Sequence, residues 1–411
     1  MEDVSPTPDQ ARIGGVISRA AISTLGMAAQ GAARFVYTLA IGRFAGPELL
    51  GETSALLAVA VFVSLFWPAP AGLAASRFLP LPDIAGPAMT VLRRSLLPAV
   101  TIIAIIAGIA AWLLGSEIAA ILGCVAVTIG YAGYVFVRGV LIGEDRISRA
   151  ALTDTITAAI GIAVLVLVLF ANLHWALLLP LALSYALFAV LSWPRQVGTP
   201  TQAQRTEVRV FTRDSAIANV ATGGLLPAVS TLILAFDTPY VAGLFAAGLS
   251  LATPANQISQ ALTQVLVPQF SRMHVQATGD ARSMLRRLLM LSFVGFGVIY
   301  GALIALSPWI LELFYGSDYV AGALSMQLIM AGVCAMSIIA APLAFLQATG
   351  HQRINATIWA VSLGLALVVM VSAGPFFGQS GVLAGFLLGS VGGSVAVIIS
   401  SLVLSRQPSH Q

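Results

Sequence analysis

Long apolar runs alternate with short polar segments along almost the whole chain. Each run holds about 20 mostly apolar residues, the length that an α-helix needs to cross the hydrocarbon core of a bilayer. Six runs precede the longest polar segment and six follow it. They cover residues 14–41, 53–76, 95–114, 118–142, 150–171, 175–193, 215–236, 241–267, 285–307, 322–346, 354–373 and 381–404. The pattern predicts an all-α integral membrane protein with twelve transmembrane helices.

The composition excludes a soluble protein. Hydrophobic residues occupy 58% of the 411 positions and charged residues only 9%, against about 25% charged residues in soluble domains. The polar start of the chain leads straight into the first run, without the pattern of a cleavable signal peptide. The two cysteines, Cys124 and Cys334, lie inside apolar runs, so we expect neither a disulfide framework nor a thiolate metal site.

All basic residues are Arg, and their distribution predicts the orientation in the membrane. Apart from Arg34 and Arg43, they fall in or beside the polar segments on the same side as the N-terminus. Because positively charged segments are retained in the cytoplasm during insertion, both termini are predicted to be cytoplasmic. The net charge of +4 therefore reflects topology, and we expect no nucleic acid partner.

The two halves of the chain share short motifs in the same order and at similar spacing. The pairs are Pro47-x-x-x-Gly51 with Pro239-x-x-x-Gly243, Leu92-Arg93-Arg94 with Leu285-Arg286-Arg287, and Gly143-x-x-Arg146-Ile147 with Gly350-x-x-Arg353-Ile354. Chance recurrence at loop turns is the alternative, but the shared order favours a duplication. Six crossings return the chain to the same side, so the halves are predicted to be parallel repeats. We expect an N-terminal lobe over 1–195, a cytoplasmic linker over 196–213 and a C-terminal lobe over 214–411.

Three of the predicted helices carry polar side chains along one face, at the i, i+3, i+4 spacing of an α-helix. Polar groups are costly in hydrocarbon, so such faces turn toward protein or toward a water-filled cavity. Hydrogen bonds between helices would also explain the Ser and Thr residues, but a row of amides favours a cavity that a ligand can enter. The candidate substrate-binding residues are Gln30, Arg34, Tyr37, Asn219, Asn256, Gln257, Gln260 and Gln264.

Arg34 is the most informative single residue, because it lies well inside the first apolar run. An Arg at the centre of a bilayer costs ~2.5–3.5 kcal/mol even on insertion scales, so it must face water, a carboxylate or an anionic ligand. Two interpretations stand equally: contact with a substrate, or an ion pair with Glu52 or Asp237. Arg138 is closer to the end of its run, and we expect it to snorkel to the cytoplasmic surface.

Other local features refine the picture. Prolines 68 and 70 interrupt the second run, which predicts a broken helix at a hinge or a transport site. No acidic residue lies in the middle of a run, so we expect no carboxylate proton relay. The chain also has no Walker motif, metal-ligand cluster or His/Asp/Ser arrangement. These absences argue against direct ATP-driven transport and against an enzyme, and we expect no cofactor.

Three segments resemble short motifs of one transporter superfamily. Residues 43–51, RFAGPELLG, resemble R-x-L-G-P-E-x-F-G; residues 313–319, LFYGSDY, resemble L-F-G-x-x-Y with Tyr315 inserted; and residues 348–353, ATGHQR, resemble A-x-G-x-x-x. These are motifs of the multidrug/oligosaccharidyl-lipid/polysaccharide exporter superfamily. Within it, the chain is similar to the polysaccharide, or O-antigen-type, flippase branch.

The resemblance implies two six-helix lobes in a V shape around a cavity lined largely by the first, second, seventh and eighth helices. It implies a monomer that moves a lipid-linked oligosaccharide from the inner to the outer leaflet of a bacterial inner membrane. Cationic cavity residues hold the lipid pyrophosphate in such flippases, and Arg34 matches that role. The implied partners are an anionic lipid-linked glycan, membrane lipids, glycosyltransferases and a polysaccharide polymerase.

Two other functional classes compete with a flippase. A cation-coupled exporter of small molecules belongs to the same superfamily, but such exporters typically use carboxylates embedded in the membrane. A membrane glycosyltransferase or a structural subunit is the third hypothesis. An enzyme of that kind needs an acidic pair at a membrane surface, and the adjacent acids Glu144 and Asp145 have the pattern of a solvated loop.

Overall fold

The computed structural model describes residues 31–195, 197–276 and 281–405, and within them the chain is helical, without β-strands. The first half contains α1 (residues 31–44), α2 (Pro47–Ser64), α3 (Pro68–Phe78), α4 (Pro82–Leu113), α5 (Ile118–Gly143), α6 (Ile147–Phe170) and α7 (Leu179–Leu191). The second half contains α8 (Gln202–Gly223), α9 (Leu225–Phe236), α10 (Pro239–Gln276), α11 (Ala281–Ala305), α12 (Ser307–Tyr315), α13 (Ala323–Ile338), α14 (Ala340–Ala348), α15 (Gln352–Phe377) and α16 (Gln379–Leu404). Short 3₁₀ turns cover His174–Ala176 and Ser317–Gly322.

These helices form the two six-helix lobes that the sequence predicts. By length and composition, nine helical segments of the described chain can cross a membrane, or ten when α8 and α9 count as one bent span. The other two crossings are α1, which is described over residues 31–44 only, and α10, whose apolar sequence is interrupted by its polar face. The prediction of a twelve-helix membrane protein is confirmed.

Three of the crossings are broken, and the tenth is divided at Ile339, between α13 and α14. The break between α2 and α3 lies at Trp67, just before the proline pair, as the sequence predicts. The seventh crossing, predicted as one continuous helix, is bent by 60° between α8 and α9. Gly223 and Gly224 lie at that bend, where the absence of side chains weakens the helix. A Cβ at Gly223 would lie 3.4 Å from the side chain of Leu65, which follows α2. The break in the second crossing therefore faces the break in the seventh crossing, in the other lobe.

The lobes pack on each other where α2 and α10 begin. A Cβ added at Gly51 would overlap the carbonyl oxygen of Pro239, and one added at Gly243 would overlap the carbonyl oxygen of Pro47. Equivalent residues therefore make reciprocal contacts, as a two-fold rotation requires. Both helices begin at the same end of the bundle, so the repeats are parallel and not inverted.

We call this end of the bundle, with the turns at residues 45–46, 237–238 and 316, the Gly46 end. Further contacts between the lobes close it: the Tyr319 hydroxyl donates to the Gly42 carbonyl at 2.9 Å. The Arg43 guanidinium donates to the carbonyls of Leu313 and Phe314, each at 3.3 Å. The opposite end, with the turns at 144–146 and 349–351, is called the Gly350 end.

Candidate functional site

A cavity of about 910 Å³ lies between the lobes. One wall comes from α1, α2, α3, α5 and α7, and the other from the end of α8 and from α9, α10, α13, α14 and α15. The lining residues include Ile142 in the last turn of α5 and Gln347 in the last turn of α14. The cavity therefore reaches the Gly350 end, whereas the packed helices close it at the Gly46 end.

The structure brings four of the residues predicted from the sequence onto this cavity wall. Arg34 lies on the wall of the first lobe, and Asn256, Gln257 and Gln260 lie on the wall of the second lobe. The three amides belong to α10, whose polar face points into the space between the lobes. This orientation explains why so many polar residues are tolerated in one membrane helix.

The other predicted residues are placed differently. Tyr37 is buried inside the first lobe, where its hydroxyl donates to the carbonyl of Leu177. Asn219 is half-buried on α8, outside the lining of the cavity. Gln30 and the side chain of Gln264 lie outside the described residues.

Arg34 has no carboxylate partner within the part of the chain that the structure describes. Asp237, one of the two proposed partners, accepts hydrogen bonds from the backbone N–H of Gln379 at 2.9 Å and of Thr238 at 2.8 Å. Glu52, the other, forms no salt bridge there either. The guanidinium of Arg34 lies half-buried on the cavity wall, and no described acid opposes its charge.

Arg138 corrects two expectations from the sequence. It does not snorkel to the surface but lines the cavity, and its Nε donates to Asp154 Oδ2 at 3.2 Å. Asp154 is fully buried, so the first lobe does hold an acid within a membrane helix. Helices α5 and α6 form an antiparallel hairpin, and the two residues lie at similar distances from its turn. That symmetry is the sequence signal that was overlooked.

A cluster of tyrosines beside the two Arg residues was also missed. Tyr131, Tyr134 and Tyr185 line the cavity, with ring centroids 5.0–6.0 Å apart. The spacing Tyr131-x-x-Tyr134-x-x-x-Arg138 puts these residues on one face of α5. In an otherwise apolar helix, however, this spacing does not distinguish a cavity wall from a packed core.

The opposite wall differs in its chemistry. Its polar side chains are hydroxyls and amides, including Gln347 and Asn355 beside the three amides of α10. Among the described lining residues, Arg34 and Arg138 are the only ones of the types Arg, Asp, Glu, Lys or His, and both belong to the first lobe. The cavity thus has a cationic wall and a neutral polar wall.

Comparisons with known proteins support the same architecture. A family model described as polysaccharide biosynthesis protein matches residues 89–324. The lipid II flippase MurJ in an inward closed conformation has a TM-score of 0.74 at 11% identity, over 92% of this chain and 87% of that one. An inward-facing multidrug resistance MATE family transporter of the MOP superfamily has a TM-score of 0.66 at 13% identity, over 92% and 94% of the two chains. A mutant of the Vibrio cholerae MATE transporter VcmN has a TM-score of 0.64 at 15% identity, over 96% and 97%.

No curated protein sequence matches the chain. At identities of this size the solved structures show the fold alone, and that fold is shared by transporters and a flippase. The family model covers more than half of the chain. The chain therefore belongs to the polysaccharide biosynthesis protein family, and it has the fold of the lipid II flippase and of the MATE transporters of the MOP superfamily.

Proposed function

We propose that this transporter is a flippase that moves a lipid-linked oligosaccharide from the inner to the outer leaflet of a bacterial inner membrane. The observation that carries the proposal is Arg34, which lies on the wall of the cavity between the lobes and has no acidic partner among the described residues. An unpaired cation within a membrane is costly unless a counter-charge or water reaches it. A pyrophosphate group supplies that counter-charge, and its oxygens can accept two parallel hydrogen bonds from the planar guanidinium of Arg.

The orientation predicted from the Arg distribution suits this role. It places the Gly350 end in the cytoplasm, so the cavity faces the compartment in which lipid-linked glycans are assembled. A membrane potential that is negative inside favours outward movement of an anion by ~2.3 kcal/mol per charge per 100 mV. In this scheme a monomer takes its substrate from glycosyltransferases and releases it to a polysaccharide polymerase on the other side.

The first prediction concerns Arg34. We expect Arg34→Ala to reduce glycan export by about 10- to 100-fold, because a hydrogen bond to a charged group contributes ~1.5–3 kcal/mol. Arg34→Lys retains part of the activity if charge alone matters, and little if the two-pronged geometry matters. The measurement is surface polysaccharide in a strain that lacks the native gene, with the membrane abundance of each variant determined in parallel.

Arg94→Ala is the matched control, since Arg94 is exposed on α4 and is not part of the cavity lining. Normal polysaccharide from Arg34→Ala at normal abundance contradicts the proposed role. Loss of the protein itself from the membrane would show instead that Arg34 is needed for folding.

The buried carboxylate of Asp154 favours one second candidate, a cation-coupled exporter of small molecules. The guanidinium of Arg138 already opposes that charge, so binding of a proton or a sodium ion there competes with the ion pair. The flippase therefore remains the better-supported function. Efflux of cationic dyes that is lost in Asp154→Asn, with export of glycan unaffected, would reverse this order.

A further inference from the structure

The charges in the cavity are distributed unevenly, and this bears on which part of a substrate each wall contacts. The described lining of the second lobe contains no Arg, Lys, His, Asp or Glu, although it provides the larger share of the polar side chains. The two guanidiniums and the tyrosine cluster all belong to the first lobe. A ligand that contacts both walls thus meets cations on one side and neutral hydrogen-bonding groups on the other.

The neutral wall contains five amide side chains: Asn256, Gln257, Gln260, Gln347 and Asn355. An amide carries both a donor and an acceptor, as does a sugar hydroxyl, so each can bind a polyhydroxylated ligand in several orientations. Within the described residues, no protein group hydrogen-bonds to the side chain of Gln257 or Gln260. Their hydrogen-bonding capacity is open to a ligand or to water.

Asn355 is a further amide of this wall whose hydrogen bonding is incomplete in the described part of the protein. Only 7% of the residue is exposed, it lines the cavity, and its Oδ1 has no hydrogen-bond partner in the described part of the protein. A buried polar atom without a partner destabilises a fold. Trp359, one helical turn further along α15, also lines the cavity but is only 4% exposed, so it supports the wall from behind.

We propose that the second-lobe wall is a subsite for an uncharged sugar, so that the transporter selects glycans whose sugar next to the pyrophosphate is neutral. This inference rests on the proposed function, since it assumes that the pyrophosphate occupies the first-lobe wall. A neutral sugar exchanges its bonds to water for bonds to the amides. A hexuronic acid at the same place loses the hydration of its carboxylate and finds no cation.

The test measures binding of three probes to the purified full-length protein in lipid nanodiscs. The probes are a bare polyprenyl pyrophosphate, the same lipid carrying one neutral N-acetylhexosamine, and the same lipid carrying one hexuronic acid. For the unaltered protein we expect the neutral sugar to tighten binding about ten-fold relative to the bare lipid, which corresponds to one or two net hydrogen bonds. The hexuronic acid is expected to give no gain.

Variants of the second-lobe wall then test whether its amides cause the gain in binding from the neutral sugar. The double substitution Gln257→Leu with Gln260→Leu should remove the gain from the neutral sugar and leave binding of the bare lipid unchanged. Gln352→Leu is the matched control, since Gln352 is exposed on α15 and does not line the cavity. Gln257→Lys should give the hexuronic acid probe a gain, because it places a cation on the neutral wall.

The outcomes separate the inference from the function on which it rests. If the unaltered protein binds none of the three lipids, the proposed flippase function fails, and the subsite fails with it. If it binds the bare lipid but holds the hexuronic acid probe as tightly as the neutral one, only the inference is overturned. The same conclusion follows if the Gln257 and Gln260 double variant weakens the bare and the glycosylated lipid equally.

Discussion

At the scale of single residues, the ion pair of Arg138 and Asp154 places two opposite charges between α5 and α6. Asp154 is fully buried, and the Arg138 side chain is 15% exposed, on the cavity side. Burying two charges costs several kcal/mol per ion, which their mutual attraction roughly offsets. Removing one partner is therefore far more damaging than removing both.

The second prediction follows from this asymmetry. We expect Asp154→Ala to destabilise the protein by ~3–5 kcal/mol, because the charge of Arg138 then loses its buried partner. The double variant Asp154→Leu with Arg138→Met should recover most of that loss. The measurement is the temperature at which each variant, in detergent, elutes as aggregate in gel filtration.

Glycan export by the same double variant tests whether Arg138 also acts in the cavity. A stable double variant with normal export would show that Arg138 and Asp154 have only a structural role. A stable variant without export would place Arg138 beside Arg34 in binding the anion. A double variant no more stable than Asp154→Ala contradicts the energetic argument.

The position of Arg34 on the cavity wall could be predicted from the sequence, because an isolated charge in an apolar run has few physical explanations. The place of Tyr131, Tyr134 and Tyr185 on the cavity wall could not be predicted, because aromatic residues in membrane helices occur both in packed cores and on lipid-facing surfaces. The burial of Asp154 could not be predicted for another reason: it lies near the end of its run, and the Arg138 side chain that pairs with it belongs to another helix. Depth along one helix does not show what the neighbouring helix presents at that level.

At the scale of the elements, one acid joins the seventh crossing to the last helix. Helix α16 begins after Gly378, which has no side chain to cap the first turn. Asp237, at the end of α9, supplies the missing acceptor by bonding to the backbone N–H of Gln379. A carboxylate at a helix N-terminus also interacts favourably with the helix dipole.

The third prediction uses this cap. We expect Asp237→Ala to lower stability by ~0.5–2 kcal/mol, the usual cost of losing an N-terminal cap. Asp237→Asn should cost less, because the amide oxygen still accepts the hydrogen bond while the charge is lost. Thermal unfolding in detergent measures both, with exposed Asp214→Ala as the control. Unchanged stability in Asp237→Ala would show that water replaces the cap.

The number of crossings and the parallel repeat were predictable because both depend on run length and on recurring Pro-x-x-x-Gly motifs. The glycines of those motifs lie where α2 and α10 touch, so the packing of the lobes requires them. The 60° bend between α8 and α9 was not predictable. Glycines are frequent in membrane helices, and only the packing of Leu65 against Gly223 distinguishes this pair.

At the scale of the whole molecule, the two lobes touch at the Gly46 end and surround a cavity that reaches the Gly350 end. The contact there depends on backbone surfaces, since Gly51 and Gly243 each face a carbonyl oxygen of the other lobe. Such a contact gains van der Waals energy only at close approach. It can therefore be broken by one methyl group, whereas the rest of each lobe keeps its packing.

The fourth prediction is that Gly51→Val separates the lobes at the Gly46 end and shifts the protein toward a state open at that end. The valine methyls cannot fit against the carbonyl of Pro239, so the state in which the lobes touch is destabilised relative to one in which they part. Gly364→Ala is the matched control, because a Cβ at that position meets nothing within 4 Å.

A cysteine at Thr253, which lines the cavity, reports the change through labelling with a membrane-impermeant thiol reagent, in a chain without Cys124 and Cys334. In the parent and in the Gly364→Ala control, labelling should occur only from the cytoplasmic side. In Gly51→Val it should occur from the outer side, and export should fall because the lobes no longer return to the closed contact. If Gly51→Val is still labelled only from the cytoplasmic side, the lobes accommodate the valine without separating. The glycine contact then does not control access to the cavity.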